Sequence, residues 1–566
     1  MNDGKNAIRP WRRRLLGAGL SLFAAVLAAR AVDVQILDSD FLRDQGDARY
    51  LRTVAIPAHR GMITDRNGEP LAISAPVDSV WANPQVVRLD AARQRELARL
   101  LGLTPSRLRQ RLADRDREFV WLRRHVSPDT AARVRALGIE GVFLRQESRR
   151  FYPAGEVTAQ VVGITDVDER GQEGLELALD ERLRGVPGLQ RVLKDRIGRV
   201  VEQVALVRPP RPGEDLALSL DRRIQYLAYR ELKAAVRRHH AQSGSLVILD
   251  VTSGEILAMV NQPSVNPNDR RGLRSEALRN RAVTDLFEPG STIKPFVVAA
   301  ALASGRYRPD TPIDTRPGTF RVGRKVIHDV HDHGLIDVAR VIQKSSNVGI
   351  AKIALSLPRE TLWETYNDVG LGLETGSGFP GEPSGRLPFF SDWDPLTQAT
   401  LAFGYGMAVT PLQLAQAYAV LAADGLLRPP SFLRLDRPAA GRRVLDVDVV
   451  RQVRAMMEGV VSPEGTARRA AVPAYRVAGK TGTVRKSGVG GYREDRYVAW
   501  FAGMAPASRP RLVAVVVIDE PQGDYYGGQV AAPVFARVMA GALRLLDVPP
   551  DGLDEGRAVR LAEVRR

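Results

Sequence analysis

The sequence predicts an α+β protein tethered by one N-terminal membrane helix. Two observations carry this. One apolar run follows a cluster of basic residues at the start of the chain. Beyond residue 216, strand-like segments stand early and late with helical runs between them, the order expected of one antiparallel sheet with helices packed on it. The composition fits: 566 residues, 44% hydrophobic and 26% charged, ordinary values for globular domains. They exclude a disordered chain, a collagen and a polytopic membrane protein. Cysteine is absent, which excludes a disulfide scaffold, a thiol nucleophile, a cysteine-ligated zinc and an iron–sulfur cluster.

Lys5, Arg9, Arg12, Arg13 and Arg14 precede the apolar run Leu15–Ala29. With Arg30 snorkelling to the interface, a span over 15–37 reaches the length a bilayer needs. The basic cluster keeps residues 1–14 cytoplasmic and sends the rest across. Ala29-Arg30-Ala31 also fits a signal-peptidase pattern, so from the residues alone a retained anchor and a cleaved leader both stand.

Residues 38–215 read as a mixed α/β module with nothing catalytic in it. Thr104-Pro105 and Ser127-Pro128 are helix starts, an N-cap followed by Pro at the first helical position. Leu108 and Leu112 share a face of the first helix; Ala131, Val134 and Leu137 follow the second, which Gly138 ends. Arg52–Ile56 reads as a strand, and Asn67-Gly68 as a hairpin turn. The Arg208–Gly213 stretch marks a boundary.

Residues 216–546 form the second module, followed by a tail over 547–566. A hairpin is expected from Gly244–Asp250, a Thr252-Ser253-Gly254 turn and Glu255–Val260. Later strands read as Tyr475–Val484, Tyr497–Gly503 and Leu512–Ile518, with a continuous helix over Val338–Leu357.

Three short motifs in this module carry chemistry. Ser291 follows the Pro289-Gly290 turn at a helix N-terminus, with Lys294 one turn on and on the same face. That suits a hydroxyl nucleophile, an amine that removes its proton, and free N–H groups for an oxyanion. Ser345-Ser346-Asn347 falls within the expected helix, where such residues alone are usually solvated or bonded to the backbone. Lys480-Thr481-Gly482-Thr483 reads as a strand; Gly482 leaves room for a ligand backbone, and Lys480 with the two hydroxyls suits a carboxylate. His328-Asp-Val-His331-Asp-His333 reads as a polar loop before the Ser345 helix, with metal binding as the rival.

In this order, 54 and 189 residues from Ser291, the three motifs resemble the active-site set of penicillin-binding proteins and class A β-lactamases. Arg60–Gly68, Tyr152–Glu156, Gly171–Glu176 and Lys194–Arg199 resemble the pedestal signatures of the class B penicillin-binding proteins. Phe403–Met407 and Thr410–Gln413 resemble parts of their transpeptidase domain. Tyr525–Gly528 with Ala532–Phe535 resembles the division-specific branch.

The resemblance implies a penicillin-binding/β-lactamase-like transpeptidase fold and an uncleaved anchor in the bacterial inner membrane. It implies Ser291, Lys294 and Ser345 as catalytic residues, and Asn347, Lys480, Thr481, Gly482 and Thr483 as substrate-binding ones, with no cofactor and no metal. The partners it implies are donor and acceptor peptidoglycan stem peptides, β-lactams, the membrane glycosyltransferase FtsW and other division proteins. An elongation-specific transpeptidase, a β-lactamase and a non-enzymatic sensor or scaffold are the rivals.

Net charge is +17 and the pI about 10.3. Nine residues are lysine and 73 are arginine, spread along the whole chain. No basic block interleaved with aromatics occurs, so a nucleic-acid partner is not expected; attraction to acidic wall or membrane surfaces fits.

Overall fold

The computed structural model describes residues 10–33, 51–194, 200–271, 274–488 and 491–553. Helix α1, Pro10–Val32, is exposed along its length, and among the described residues it is the one helix long and apolar enough to cross a membrane. It begins five residues before the expected span; residues 34–37 of that span lie outside the described residues, as does most of the expected Lys194–Arg199 signature.

The rest divides into two compact units, and these do not follow a single cut near residue 215. Arg60–Ala75 and Ser148–Arg184 belong with Gly213–Arg566, while Pro76–Glu147 and Gly185–Pro212 form the other unit with the N-terminal segment. The reason is a set of buried ion pairs. Arg60, 1% exposed, donates to Glu176 at 2.7 Å and to Asp180 at 2.7 Å. Arg150 holds the other oxygen of the same Glu176 at 2.6 Å. Buried charges must be paired in this way, and sequence separations of 116 and 26 residues hide the pairing from a linear reading.

In the smaller unit, Leu51–Ile56, Gly188–Lys194 and Val200–Arg208 make a three-stranded antiparallel sheet. Helices Ala91–Leu100, Pro105–Arg111 and Pro128–Ala136 surround a core that includes Val80, Leu97, Leu108, Leu122 and Val134. The two expected helix starts are present. The Thr104 and Ser127 hydroxyls each accept the N–H three residues on, at 3.2 Å, supplying partners the first helical turn lacks.

The larger unit is built on a five-stranded antiparallel sheet. Its strands are β1 (Ser243–Asp250), β2 (Ile256–Gln262), β3 (Ala478–Gly488), β4 (Gly491–Ala505) and β5 (Leu512–Asp519), in the order β2-β1-β5-β4-β3. Every residue of β1, β2 and β5 is buried, so helices cover both faces. Helices α2 (Arg222–Arg238) and α8 (Ala532–Leu545) pack together over the sheet. Helices α3 (Lys294–Ala303), α6 (Pro411–Ala422) and α7 (Val447–Glu458) form a second helical layer.

The continuous helix expected over Val338–Leu357 is two helices, α4 (Val338–Lys344) and α5 (Asn347–Leu355). Ser345 breaks it with φ +60°, a left-handed conformation uncommon for a residue with a side chain. Ser346 then caps α5, its hydroxyl accepting the Gly349 N–H at 2.8 Å.

Candidate active site

The site assembles where the first turn of α3, the α4–α5 break and the edge strand β3 meet. Ser291 lies in a 3₁₀ turn, Gly290–Ile293, that runs directly into α3. In such a turn residues i and i+3 eclipse, which puts Ser291 and Lys294 on one side of the chain. The turn is held from several directions. Tyr418 on α6 donates its hydroxyl to the Thr292 carbonyl at 2.7 Å, and the Thr292 hydroxyl donates to the Pro289 carbonyl at 2.7 Å. Trp500 Nε1 donates to the Glu288 carbonyl at 3.2 Å. Gly290 takes φ +57°, and a Cβ there would stand 2.4 Å from Val484 Cγ2 and 3.8 Å from Thr483 N, so the turn presses against β3.

Lys294 is fully buried. Its Nζ donates to the Ser345 carbonyl at 2.6 Å, to Asn347 Oδ1 at 2.8 Å and to Ser345 Oγ at 3.2 Å. Lys480, also fully buried, donates from Nζ to the same Ser345 Oγ at 2.9 Å. One hydroxyl therefore joins two ammonium groups from separate elements. Burial, and after it the neighbouring charge of Lys480, push the Lys294 pKa well below its usual value; Asp329 pulls the other way. Burial alone brings Lys480 down to about 7.

The structure brings Lys294, Ser345, Asn347 and Lys480 into one hydrogen-bonded group. Thr481 and Thr483 lie on the same strand. The Thr481 hydroxyl shares a 2.9 Å bond with Thr466, and Thr483 Oγ1 accepts the Gly527 N–H at 3.0 Å. Gly482 differs from expectation. The space beside it holds the protein's own Ser291 turn: an added Cβ would meet the Pro289 carbonyl oxygen at 2.8 Å, Thr292 Cγ2 at 3.0 Å and Trp500 Cβ at 3.1 Å. The missing side chain seats Ser291 against β3 rather than clearing room for a ligand.

Asp329 is the functional residue that sequence reasoning missed. Its carboxylate accepts the Asn347 N–H, the Val348 N–H at 3.0 Å and the Ser346 hydroxyl at 2.5 Å, capping α5 and fixing the Ser345 break. The preceding carbonyl, His328, accepts from Asn347 Nδ2 at 3.1 Å. The histidine loop thus supports the Ser345–Asn347 segment. Among the described residues, no group of three or more His, Cys, Asp or Glu side chains gathers as a metal site. Thr466 and Glu288 were also missed as supports. Glu288 accepts from the Gly406 N–H at 2.8 Å and the Tyr492 hydroxyl at 2.9 Å, and burial raises its pKa.

As an arrangement of chemistry, this is a serine one turn before an amine whose proton is weakly held, a hydroxyl bridging that amine to a second one, and a strand edge with hydroxyls. It suits acyl transfer through a covalent serine intermediate.

Comparison with known proteins agrees. The penicillin binding protein transpeptidase domain matches residues 244–540, and the penicillin-binding protein dimerisation domain matches 55–218. The chain is 45% identical over 554 residues to the peptidoglycan D,D-transpeptidase FtsI of Escherichia coli strain K12, covering 96% of this chain and 94% of that protein. Among solved structures, the transpeptidase domain of Burkholderia pseudomallei penicillin-binding protein 3 is 44% identical with a TM-score of 0.55, covering 59% of this chain and 97% of that one. Penicillin-binding protein 3 of Mycobacterium tuberculosis, complexed with aztreonam, is 28% identical with a TM-score of 0.69, covering 88% and 98%.

Proposed function

We infer the mechanism from one premise: the chain belongs to the penicillin-binding protein transpeptidase family, as a class B member with a dimerisation and a transpeptidase domain. It is a peptidoglycan D,D-transpeptidase, with peptidoglycan as substrate and β-lactams as ligands. The observation that carries our reading of the site is Ser345 Oγ lying within hydrogen-bond reach of both Lys294 and Lys480.

In this mechanism Ser291 Oγ attacks the penultimate D-Ala carbonyl of a donor stem peptide and gives its proton to Lys294 Nζ. The depressed Lys294 pKa supports an uncharged amine as that base. The N–H groups of Ser291 and Thr483 receive the oxyanion. As the C–N bond breaks, Ser345 passes a proton to the departing D-Ala amine and recovers one from the lysine pair. Asn347 holds Lys294 and the substrate amide, while Lys480, Thr481 and Thr483 hold the terminal carboxylate. Gly482 contributes by letting β3 approach the nucleophile turn. An amine of the acceptor stem then resolves the ester and forms the cross-link; a β-lactam instead leaves its acyl group on Ser291. Labelling with a fluorescent penicillin and mapping the modified peptide tests this assignment: the label is expected on the peptide containing Ser291, and a label elsewhere overturns it.

The finer setting is also our inference. Helix α1 fits a single-pass anchor. The basic residues before it favour a cytoplasmic N-terminus and a periplasmic catalytic domain. We place the cross-linking at the division septum, with FtsW and other division proteins as partners. The FtsI relative and the Tyr525–Gly528 segment support this. Depletion is expected to give filaments with unfinished septa; swollen round cells that still divide would point to wall elongation instead. Failure of FtsW to co-purify from detergent extracts would count against that partner.

A further inference from the structure

A cleft of about 850 Å³ opens in the larger unit, near the β1–β2 turn and the β4–β5 loop. It is lined by Arg428, Arg443, Arg451, Arg454, Arg476 and Arg509 against two carboxylates, Asp424 and Glu458. Arginines are abundant throughout this chain, but here six converge on one concavity with an excess of four positive charges.

The pairing inside the cleft is incomplete. Arg451 and Arg454 share Asp424 at 2.9 and 3.1 Å, and Arg476 grips Glu458 through two 2.8 Å bonds. The Arg443 guanidinium donates to the Asp424 carbonyl, at 2.7 Å, and to no carboxylate among the described residues. Arg428 Nε is buried with no hydrogen-bond partner among the described residues. Guanidinium forks left in this state suit carboxylates, which they bind with paired hydrogen bonds. A walled cleft with a net positive charge also concentrates oppositely charged ligands.

Two of the cleft's walls run into the active site. Arg476 stands four residues before Lys480, at most ~14 Å of chain. Glu458 ends α7, and the loop beyond it bonds Gln343 on α4 through Ser462 at 3.2 Å and Thr481 through Thr466. We propose that this cleft is an exosite for the wall polymer, holding the carboxylates of an uncross-linked peptidoglycan strand while one of its stem peptides reaches Ser291. The proposal rests on the transpeptidase reading of the site. A polymer is long enough to occupy both places.

The test uses the full chain in detergent and co-sedimentation with purified sacculi. Arg443→Gln with Arg509→Gln, both exposed positions, is expected to weaken sacculus binding at least fivefold with no loss of thermal stability. Arg135→Gln with Arg237→Gln makes the same charge change elsewhere and is expected to leave binding within twofold. Sacculi whose carboxylates have been amidated with carbodiimide are expected to bind the unsubstituted chain as weakly as native sacculi bind the cleft variant. Unchanged binding by the cleft variant, an equal loss in the control variant, or indifference to amidation each overturns the exosite. An unsubstituted chain that binds sacculi but is never acylated by a small β-lactam overturns the transpeptidase reading instead.

Discussion

Lys480 Nζ donates to Ser345 Oγ at 2.9 Å, and that contact ties the sheet edge to the break between α4 and α5. Lys294 reaches the same oxygen at 3.2 Å from the start of α3. Two buried ammonium groups sharing one hydroxyl cannot both hold a proton comfortably, because burial penalises both and the Lys480 charge adds to the cost of charging Lys294. The fold thereby makes the amine one turn after Ser291, the group we infer to be the base, easier to deprotonate.

Removal of Ser291, the nucleophile we infer, is expected to separate chemistry from folding. Ser291 is half-buried and its hydroxyl makes no hydrogen bond among the described residues, so Ser291→Ala is expected to shift stability by no more than ~0.5 kcal/mol. All covalent penicillin labelling is expected to vanish. Lys294→Arg keeps a cation, but a guanidinium does not give up its proton at neutral pH, so acylation is expected to fall ~10²–10⁴-fold. Thermal melts and a chromogenic β-lactam measure both. Near-normal acylation by either variant would move the chemistry elsewhere.

The pH dependence has a definite sign. Lys294 acts as base only when uncharged, so acylation rises with pH as its proton leaves. Burial is the larger cause of its lowered pKa, and the Lys480 charge the second. Lys480→Gln removes the second cause and raises the Lys294 pKa. The rising limb of the acylation profile is therefore expected at higher pH than in the unsubstituted protein. A limb that stays in place or moves to lower pH would exclude this coupling.

Ser345 has two separable properties, its hydroxyl and its left-handed backbone at φ +60°. Ser345→Ala loses the hydroxyl and keeps a Cβ where the backbone disfavours one. Ser345→Gly loses the hydroxyl and relaxes the backbone, and should be more stable than the alanine variant by about 1 kcal/mol. Both are expected to lose acylation to the same extent. If the glycine variant acylated at the unsubstituted rate, the turn rather than the hydroxyl would be what the site requires.

Local strings announced themselves in the sequence, and distant partners did not. Thr104-Pro105 and Ser127-Pro128 were legible because a helix N-cap is settled within four residues. The helix start that carries Ser291 and Lys294 was legible for the same reason. The break at Ser345 was not, since α4 and α5 read as one apolar helix and the carboxylate that caps the second comes from Asp329, 18 residues before Asn347. The extension of β3 beyond Val484 to Gly488 and the start of β4 at Gly491 were hidden as well, because those residues are mostly polar and exposed and carry no alternation. The return of Arg60–Ala75 to the larger unit depends on Glu176, far along the chain.

Gly482 offers the sharpest test of structure against sequence. A glycine kept for a ligand would tolerate Ala in the free protein: melting would stay unchanged and only substrate or β-lactam binding would weaken. The contacts found here give the opposite expectation. A methyl group would come 2.8 Å from the Pro289 carbonyl oxygen and close to Thr292 and Trp500, all fixed by hydrogen bonds or packing. The backbone must move, and overpacking of this kind costs ~1–3 kcal/mol. The displaced element is the turn that carries Ser291, so the acylation rate at saturating β-lactam should fall together with the melting temperature. Gly482→Ala is therefore expected to lower both, and a Thr292→Ser change made alongside it, which removes the Cγ2 contact at 3.0 Å and keeps the hydroxyl bond to Pro289, should recover part of the stability. Weakened β-lactam binding with a normal melt and a normal saturating rate would return Gly482 to the ligand.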